Sequence, residues 1–467
     1  MYEILLVVLI YLLGAELWWL VGVAVLLNKF IKRPILILAI FSPFFWVKSL
    51  HELPKIFLIR IFDEVRFTIL DQILFYVVGL VICFFIYYLI RKIFLLVDKK
   101  AKHPLPFMMV FYGLLFFTNN WLKYYSYSIY LEALRTLIII FFSNAFVMIV
   151  YELHNVRKKN QLNSFQSFTL LNTLHSTFTY QGGTQLSPKG TKHLQDSLVE
   201  ESELKSLQLK ALKVLGLCLG LKVGADILGH LFLNFEMAYL KKISLPKYNI
   251  VDLSVFKTIP RFYLMDQVQH HGNIYLAVFI RSIHWLALRI NGWNTKIALL
   301  WFLGIYIELG ILNPFKSSSF VDFFRRLHVY IADFYKVFVY PYTYSFFKFV
   351  HNPVIKKYLS MWCMIFLGGL VFQTVSHFYQ LYSWTTHKFL IVLETRAFYD
   401  GVLATIVCLS LYLEKKKINP NNRFVFIRTI IYIEIYSLIV SMSASMKNEN
   451  FNIYSIYSYF KLLMGIN

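Results

Sequence analysis

The chain has 467 residues, of which 58% are hydrophobic and 15% charged, where a soluble domain carries about a quarter charged residues. Its mean hydropathy of +0.58 and its repeated apolar runs, long enough to cross a hydrocarbon core about 30 Å thick, exclude an ordinary soluble globular domain and point to an all-α, polytopic integral membrane protein. The net charge of +22 does not imply nucleic acid, because most of the basic residues lie in short loops beside apolar runs, where they orient helices and meet anionic membrane lipids.

Taken in chain order, the hydrophobic segments fall near 4–28, 34–47, 69–90, 104–118, 136–152, 211–235, 272–290, 296–312, 358–382, 389–413 and 424–443, giving about ten or eleven. No basic region precedes the first run, and it is too long for a cleaved signal, so it reads as a retained span. Basic clusters follow the first span (Lys29, Lys32, Arg33), the third (Arg91, Lys92, Lys99, Lys100) and the fifth (Arg157, Lys158, Lys159). The loop after the fourth is poor in charge, so alternation holds through five spans with the N-terminus outside. From the other end, a hairpin of 358–382 and 389–413 puts Lys356–Lys357 and Lys415–Lys416–Lys417 in the cytoplasm.

Counting back from that hairpin, the parity fails at 211–235, which carries Lys222, Asp226 and His230 among Gly216, Gly220, Gly224 and Gly229. Such a run makes a poor lipid-facing span, and a re-entrant or kinked element is expected there. Lys222 and Asp226, spaced i,i+4, are expected to pair within the helix as structural intramembrane polar residues. Asp322 and Arg326 have the same spacing and read as a solvated helix pair. Other intramembrane charges, Arg281, His284, Glu394, Arg428 and Glu434, call for partners on neighbouring helices. Four regions follow: an N-terminal transmembrane bundle (1–152), a polar and amphipathic cytoplasmic segment (153–210), a membrane core (211–413), and a C-terminal span and tail (414–467).

The four cysteines, Cys83, Cys218, Cys363 and Cys408, each sit in an apolar segment with no close pair, so neither a disulfide framework nor a thiolate metal site is expected. His270–His271 is adjacent rather than spaced for ligation, and no metal is expected. The segment 313–350 is too charged to span, but its aromatic load (Phe320, Phe323, Phe324, Tyr330, Phe334, Tyr335, Phe338) suits a helix dipping into the membrane interface.

Asn313 to His328, with Phe323-Phe324-Arg325-Arg326-Leu327-His328 at its end, resembles the membrane-bound O-acyltransferases. It is nearest the bacterial branch that O-acetylates alginate and D-alanylates teichoic acid, where the corresponding string is Phe-Trp-Arg-Arg-Trp-His. Leu215 to Asp226 resembles a second family segment, and Tyr358 to Leu370 resembles the helix leading to the family's Gly-Leu-Trp-His-Gly motif. The resemblance covers about 175–400. It implies helices around a central funnel in a multi-pass plasma membrane protein, with the bacterial inner membrane as the expected location. It also implies transfer of an acyl group from a thioester to a hydroxyl of an extracytoplasmic glycan or similar acceptor. The donor would be acyl-CoA or an acyl carrier protein, acting as substrate with no further cofactor, and an extracytoplasmic acyltransferase could be a partner.

Aligned without gaps, Gly369-Leu370-Val371-Phe372-Gln373 occupies Gly-Leu-Trp-His-Gly, so Phe372 stands at the family's catalytic histidine. The nearest imidazole is His377, five residues or about 7.5 Å further along a helix. The expected catalytic residues are therefore His377 and His328, with a neutral imidazole as general base. Arg325 and Arg326 would line the donor path, and Gln373 and Ser376 would hold the oxyanion. Two alternatives stand beside this: a catalytically degenerate relative acting as a partner or scaffold, and an unrelated transporter, which would carry inverted repeats.

Overall fold

The structure is a computed structural model that describes residues 34, 36, 37, 69–98, 100, 102–125, 129–157, 163–176, 189–242, 272–376, 386–415, 429–433 and 435–436. It is predominantly helical, with no strand among the described residues. The chain divides into two compact units. The first comprises Met1–Gly216, Trp293–Leu309 and Phe372–Ser383; the second comprises Leu217–Gly292, Gly310–Val371 and Trp384–Asn467. The expected segments 4–28 and most of 34–47 lie outside the described residues.

In the first unit, α1 (Ile69–Val97), α2 (Pro104–Tyr125), α3 (Ile129–Asn155) and α4 (Ser164–Ser176) correspond to the expected third to fifth segments and to part of the polar region after them. Helix α1 buries one stripe, Gly79, Cys83, Tyr87, Ile90 and Phe94, spaced three or four residues apart. Its other faces expose Leu74, Val77, Val81, Phe85 and Ile93. A helix apolar all round, but buried along one stripe only, is stable where its outer face meets lipid. Val77–Val97, 21 residues at mean hydropathy 2.3, is long enough for that.

A Cβ on Gly79 would lie 2.9 Å from the Leu137 methyls, so α1 and α3 approach closely there. Aromatic rings fill the remaining space, including Phe84 with Phe168 (5.3 Å between centroids), Phe141 with Phe168 (5.3 Å) and Tyr112 with Phe146 (5.1 Å). The buried Tyr112 hydroxyl donates to the Phe142 carbonyl. Leu137–Ser143 and Ala145–Asn155 of α3 are bent by 60° and together form a further candidate span.

The end of α3 is clamped to the start of α5 (Thr191–Asp196). The buried Glu152 carboxylate accepts from the Thr191 backbone N–H and hydroxyl, both at 2.6 Å. Asn155 Nδ2 donates to the Lys189 carbonyl at 3.4 Å. Between them Gly190 takes φ 87°, a left-handed conformation that glycine adopts without steric cost.

Two expectations are corrected here. Segments 272–290 and 296–312 are not two spans. Helix α7 runs unbroken through Gly272–Phe302, because Asn294 and Thr295, which lower the local hydropathy, are buried helix residues and not a turn. The chain then reverses at Gly304 (φ 82°), where Val199 N–H donates to the Gly304 carbonyl (2.9 Å) and Tyr306 N–H to the Ser197 carbonyl (2.8 Å).

The re-entrance expected at 211–235 is likewise replaced by one continuous helix, α6 (Glu201–Lys242). Its 42 residues extend about 63 Å at 1.5 Å per residue. Its inward stripe, Leu207, Ala211, Leu215, Cys218 and Ala225, keeps helical spacing across the glycines. That continuous packing face is why the glycines do not break the helix.

In the second unit, the segment expected at the interface is a chain of short helices: α8 (Phe320–Leu327), α9 (Val329–Phe334), a π turn at Tyr335–Val339 and α10 (Tyr340–Phe346). Of the seven aromatic residues singled out in this segment, Phe320, Phe323, Tyr330, Phe334, Tyr335 and Phe338 are buried within the protein and Phe324 is half-buried. Ser319 caps α8, its hydroxyl accepting from Asp322 N–H at 3.0 Å. Ser319→Ala should cost about 1 kcal/mol, read as a lowered thermal midpoint of the detergent-solubilised chain, whereas Ser318→Ala, at an exposed residue, should leave it nearly unchanged.

The expected hairpin forms as α11 (Pro353–Ser376) and α12 (Thr386–Lys415). Trp362 Nε1 donates to Thr405 Oγ1 at 3.0 Å, and the Tyr358 and Tyr412 rings lie 6.3 Å apart, so the two run antiparallel. Pro353–Phe372 is the second candidate span.

Candidate functional site

The local sequence explains how His328 is presented. Phe320, Phe323 and Leu327, at i, i+3 and i+7, turn one face of α8 inward and leave Asp322, Arg325 and Arg326 on the other. His328 is the joint between α8 and α9. Its N–H bonds back to Phe324 O (3.0 Å), its carbonyl accepts from Ala332 N–H (2.9 Å), and its own φ −134°, ψ 54° breaks the helical path. The break aims the ring inward, leaving the residue 4% exposed. Leu312 N–H donates to Arg326 O at 2.9 Å, tying the approach to α8 onto its end.

The lid on this imidazole comes from far along the chain. The helical residues 429–433 and 435–436 lie against α8 on one face. Thr429 Oγ1 bonds Phe315 O at 3.3 Å, and the Tyr432 ring sits 5.8 Å from Phe320. The Tyr436 ring packs 6.1 Å from Phe323, and its hydroxyl lies 2.9 Å from His328 Nε2. The Phe324 ring centroid is 4.9 Å from the imidazole. Nδ1 of His328 is buried and has no hydrogen-bond partner among the described residues.

Burial first, then the positive charge of Arg289, pushes His328 down from 6.5 to about 3. The imidazole is therefore neutral at physiological pH. An unfolded imidazole titrates near 6.5, so between that pH and about 3 the unfolded chain binds a proton that the folded chain refuses. This contribution to stability is complete above pH 6.5 and is lost as acid enters the window, at about 1.4 kcal/mol per pH unit. The thermal midpoint should fall between pH 7.5 and 4.5, and His328→Asn should remove that part of the slope.

A second polar pair is seated on α11. Its inward stripe is Ile365, Gly368, Gly369, Phe372 and Val375. A Cβ on Gly368 would come 2.8 Å from the Tyr335 ring, and one on Gly369 would fall within the carboxylate of Asp400 from α12. The two glycines form a notch that admits a phenol and a carboxylate to the helix backbone. Burial, then the charges of Asp400 and Tyr436, hold the Tyr335 phenol well above its ordinary value, so it too stays protonated. Arg289, His328, Tyr335, Asp400 and Tyr436 thus form one electrostatically coupled cluster inside the second unit.

The expected residues fare unequally. His328 is central. Phe372 is inward-facing on the α11 stripe, one turn beyond Gly368. His377 lies outside the described residues, as do the side chains of Gln373, Ser376 and Asp226, so the Lys222–Asp226 pair falls outside them too. Lys222 itself is half-buried on α6.

Arg325 and Arg326 both engage Asp322, through Nη2 at 3.0 Å and Nε at 2.8 Å. Burial pushes the Asp322 carboxyl up, but bonds from Arg326, Ser318 and Arg325 outweigh it and hold the group below its usual range. Arg326 is committed to this pair. Arg325, with 71% of its side chain exposed, keeps donors open to an anion.

Glu394 is exposed on α12 and His284 half-buried on α7, while Arg281, Arg428, Glu434 and His270–His271 lie outside the described side chains. No group of three metal-binding side chains occurs among the described residues. Sequence reasoning missed Arg289, Asp400 and Tyr436. The first two carried a usable signal, being ionisable residues in apolar segments; a tyrosine among 32 did not.

Comparison with protein-family models and with the curated proteins finds no match to this chain.

Proposed function

We propose that this chain is a multi-pass membrane protein that transfers an acyl group from a thioester to a hydroxyl, with His328 beside the reacting carbonyl. The observation carrying this reading is the neutral, buried imidazole whose Nε2 lies 2.9 Å from the Tyr436 hydroxyl while Nδ1, also buried, has no hydrogen-bond partner among the described residues. The resemblance of Asn313–His328, Leu215–Asp226 and Tyr358–Leu370 to the membrane-bound O-acyltransferases supports it. In that reading the donor is acyl-CoA or an acyl carrier protein, the acceptor an extracytoplasmic glycan or similar alcohol, and the setting a bacterial plasma membrane with an extracytoplasmic acyltransferase as partner.

The acceptor oxygen attacks the thioester carbonyl, a C–O bond forms, the C–S bond breaks, and the thiol leaves with the hydroxyl proton. An imidazole held near 3 is far too weak to work as a general base at neutral pH. A neutral imidazole can instead polarise a carbonyl as a donor. In the tautomer where the Tyr436 hydroxyl donates to Nε2, the ring proton sits on Nδ1, and that N–H is the group this reading gives to the developing oxyanion. We therefore read His328 as an electrophile, a different role from the general base expected from the sequence. Arg325 offers the donor's phosphate groups a fork of N–H bonds.

A second reading is favoured by one observation. Phe372 faces inward at the position aligned with the family's catalytic histidine, and it can transfer no proton. That is what a non-catalytic partner or scaffold of the same ancestry would carry. The two are separated by reconstituting the chain in liposomes and following acceptor-dependent thiol release from acetyl-CoA and from an acetylated carrier protein. Release above the protein-free rate supports the transferase; its absence with both donors leaves the scaffold reading.

A further inference from the structure

We infer that the turn joining α10 to α11 is a binding surface for anionic phospholipid headgroups, formed by Tyr344, Phe346, Lys348, Phe349, Lys356 and Lys357. Phe346 and Phe349 are 72% and 67% exposed, and Tyr344, Lys348 and Lys357 are exposed beside them. An aromatic cluster this open is costly in water and marks a surface that something covers.

What covers it follows from length. The candidate span Pro353–Phe372 has 20 residues, or about 30 Å of helix, which just matches the hydrocarbon core. Its first residue must then lie at one headgroup level, and the six residues before it lie there as well. The turn cannot swing away. Thr343 Oγ1 donates to Ser360 O at 3.0 Å, and Asn352 caps α11 by accepting from Val354 and Ile355 N–H at 2.9 and 3.2 Å. Lys356 Nζ sits 4.2 Å from the Tyr344 ring centroid, fixing a cation against the aromatic cluster.

Charge selects the kind of lipid. No aspartate or glutamate occurs between Asp333 and Glu394, so no nearby carboxylate in sequence competes for the three ammonium groups. Lysines at this level can keep their aliphatic stems in the apolar layer while the charged heads reach the phosphates. Each lysine near an anionic surface contributes about 1 kcal/mol, or about a fivefold preference per lysine.

The test uses the full chain with Phe346→Trp, reconstituted in phosphatidylcholine bilayers containing brominated phosphatidylglycerol or brominated phosphatidylcholine. The signal of the added indole is taken as the difference from the parent chain. The expected result is quenching by both brominated lipids, severalfold more effective for phosphatidylglycerol. Lys348→Gln/Lys356→Gln/Lys357→Gln should abolish that preference while quenching by brominated phosphatidylcholine persists. No quenching by either lipid would mean that water or protein covers the turn, and equal quenching in the unsubstituted background would mean that headgroup charge is not read. Either result overturns the inference. A preference surviving the triple substitution also overturns it, because the lysines would then not be its source.

Discussion

Gly369→Ala should lower the stability of this protein by roughly 2–4 kcal/mol, the net of two opposed effects. Alanine favours helix over glycine by about 1 kcal/mol. Against this, the new methyl would lie 2.8 Å from Asp400 Oδ2 and closer still to its other carboxylate atoms. Overpacking a filled interior costs about 1–3 kcal/mol, and pushing the buried carboxyl off its seat adds about 1–3 kcal/mol more. The second effect wins because Asp400 has a short side chain and is only 3% exposed, so little room remains for it to rotate.

A double-mutant cycle isolates the cause. Asp400→Ala destabilises by itself, but adding Gly369→Ala on that background should cost almost nothing, giving a coupling of about 2–4 kcal/mol. If the two losses simply add in thermal or denaturant unfolding of the solubilised chain, the glycine is not there to admit the carboxylate.

His328→Ala should reduce acyl transfer by about 10²–10³ in kcat, the usual cost of removing one donor to a developing oxyanion, with a much smaller effect on KM. Tyr436→Phe should reduce kcat by less, because it deletes no group that touches the carbonyl. It only frees the ring proton to move between the two nitrogens. The role of Tyr436 is thus positional, and nitrogen-15 spectra of histidine-labelled protein report on it directly. His328 should give a single neutral tautomer in the parent and an averaged signal in Tyr436→Phe. Unchanged kcat in His328→Ala, measured in a preparation whose parent is active, would remove His328 from the chemistry altogether.

The sequence carried a good deal of this. Apolar runs placed α1, α2, α3, α11 and α12, because the length and hydropathy of a lipid-facing helix are set residue by residue, with little help from neighbours. The i,i+4 spacing of Asp322 and Arg326 gave their ion pair for the same reason. His328 was legible as a polar residue among aromatics. Its chemical character was not, since a free imidazole and one held near 3 are written with the same letter.

The errors arose where hydropathy was asked to report chain direction. Asn294 and Thr295 read as an interruption and are buried helix, while Gly216, Gly220 and Gly224 read as a kink and lie within the continuous helix α6. In each case packing on a continuous inward stripe outweighed the local preference.

By itself the sequence determined that the chain is helical, apolar enough for membrane, and furnished with an imidazole at the end of an aromatic-basic segment. Only the tertiary structure decided what surrounds that imidazole. Tyr436 lies 108 positions beyond His328, Asp400 meets α11 only through the gap left by Gly369, and Arg289 acts on the ring from another helix. Contacts over such separations are fixed by how helices pack, and packing is a property of complementary faces that no single stretch of residues contains.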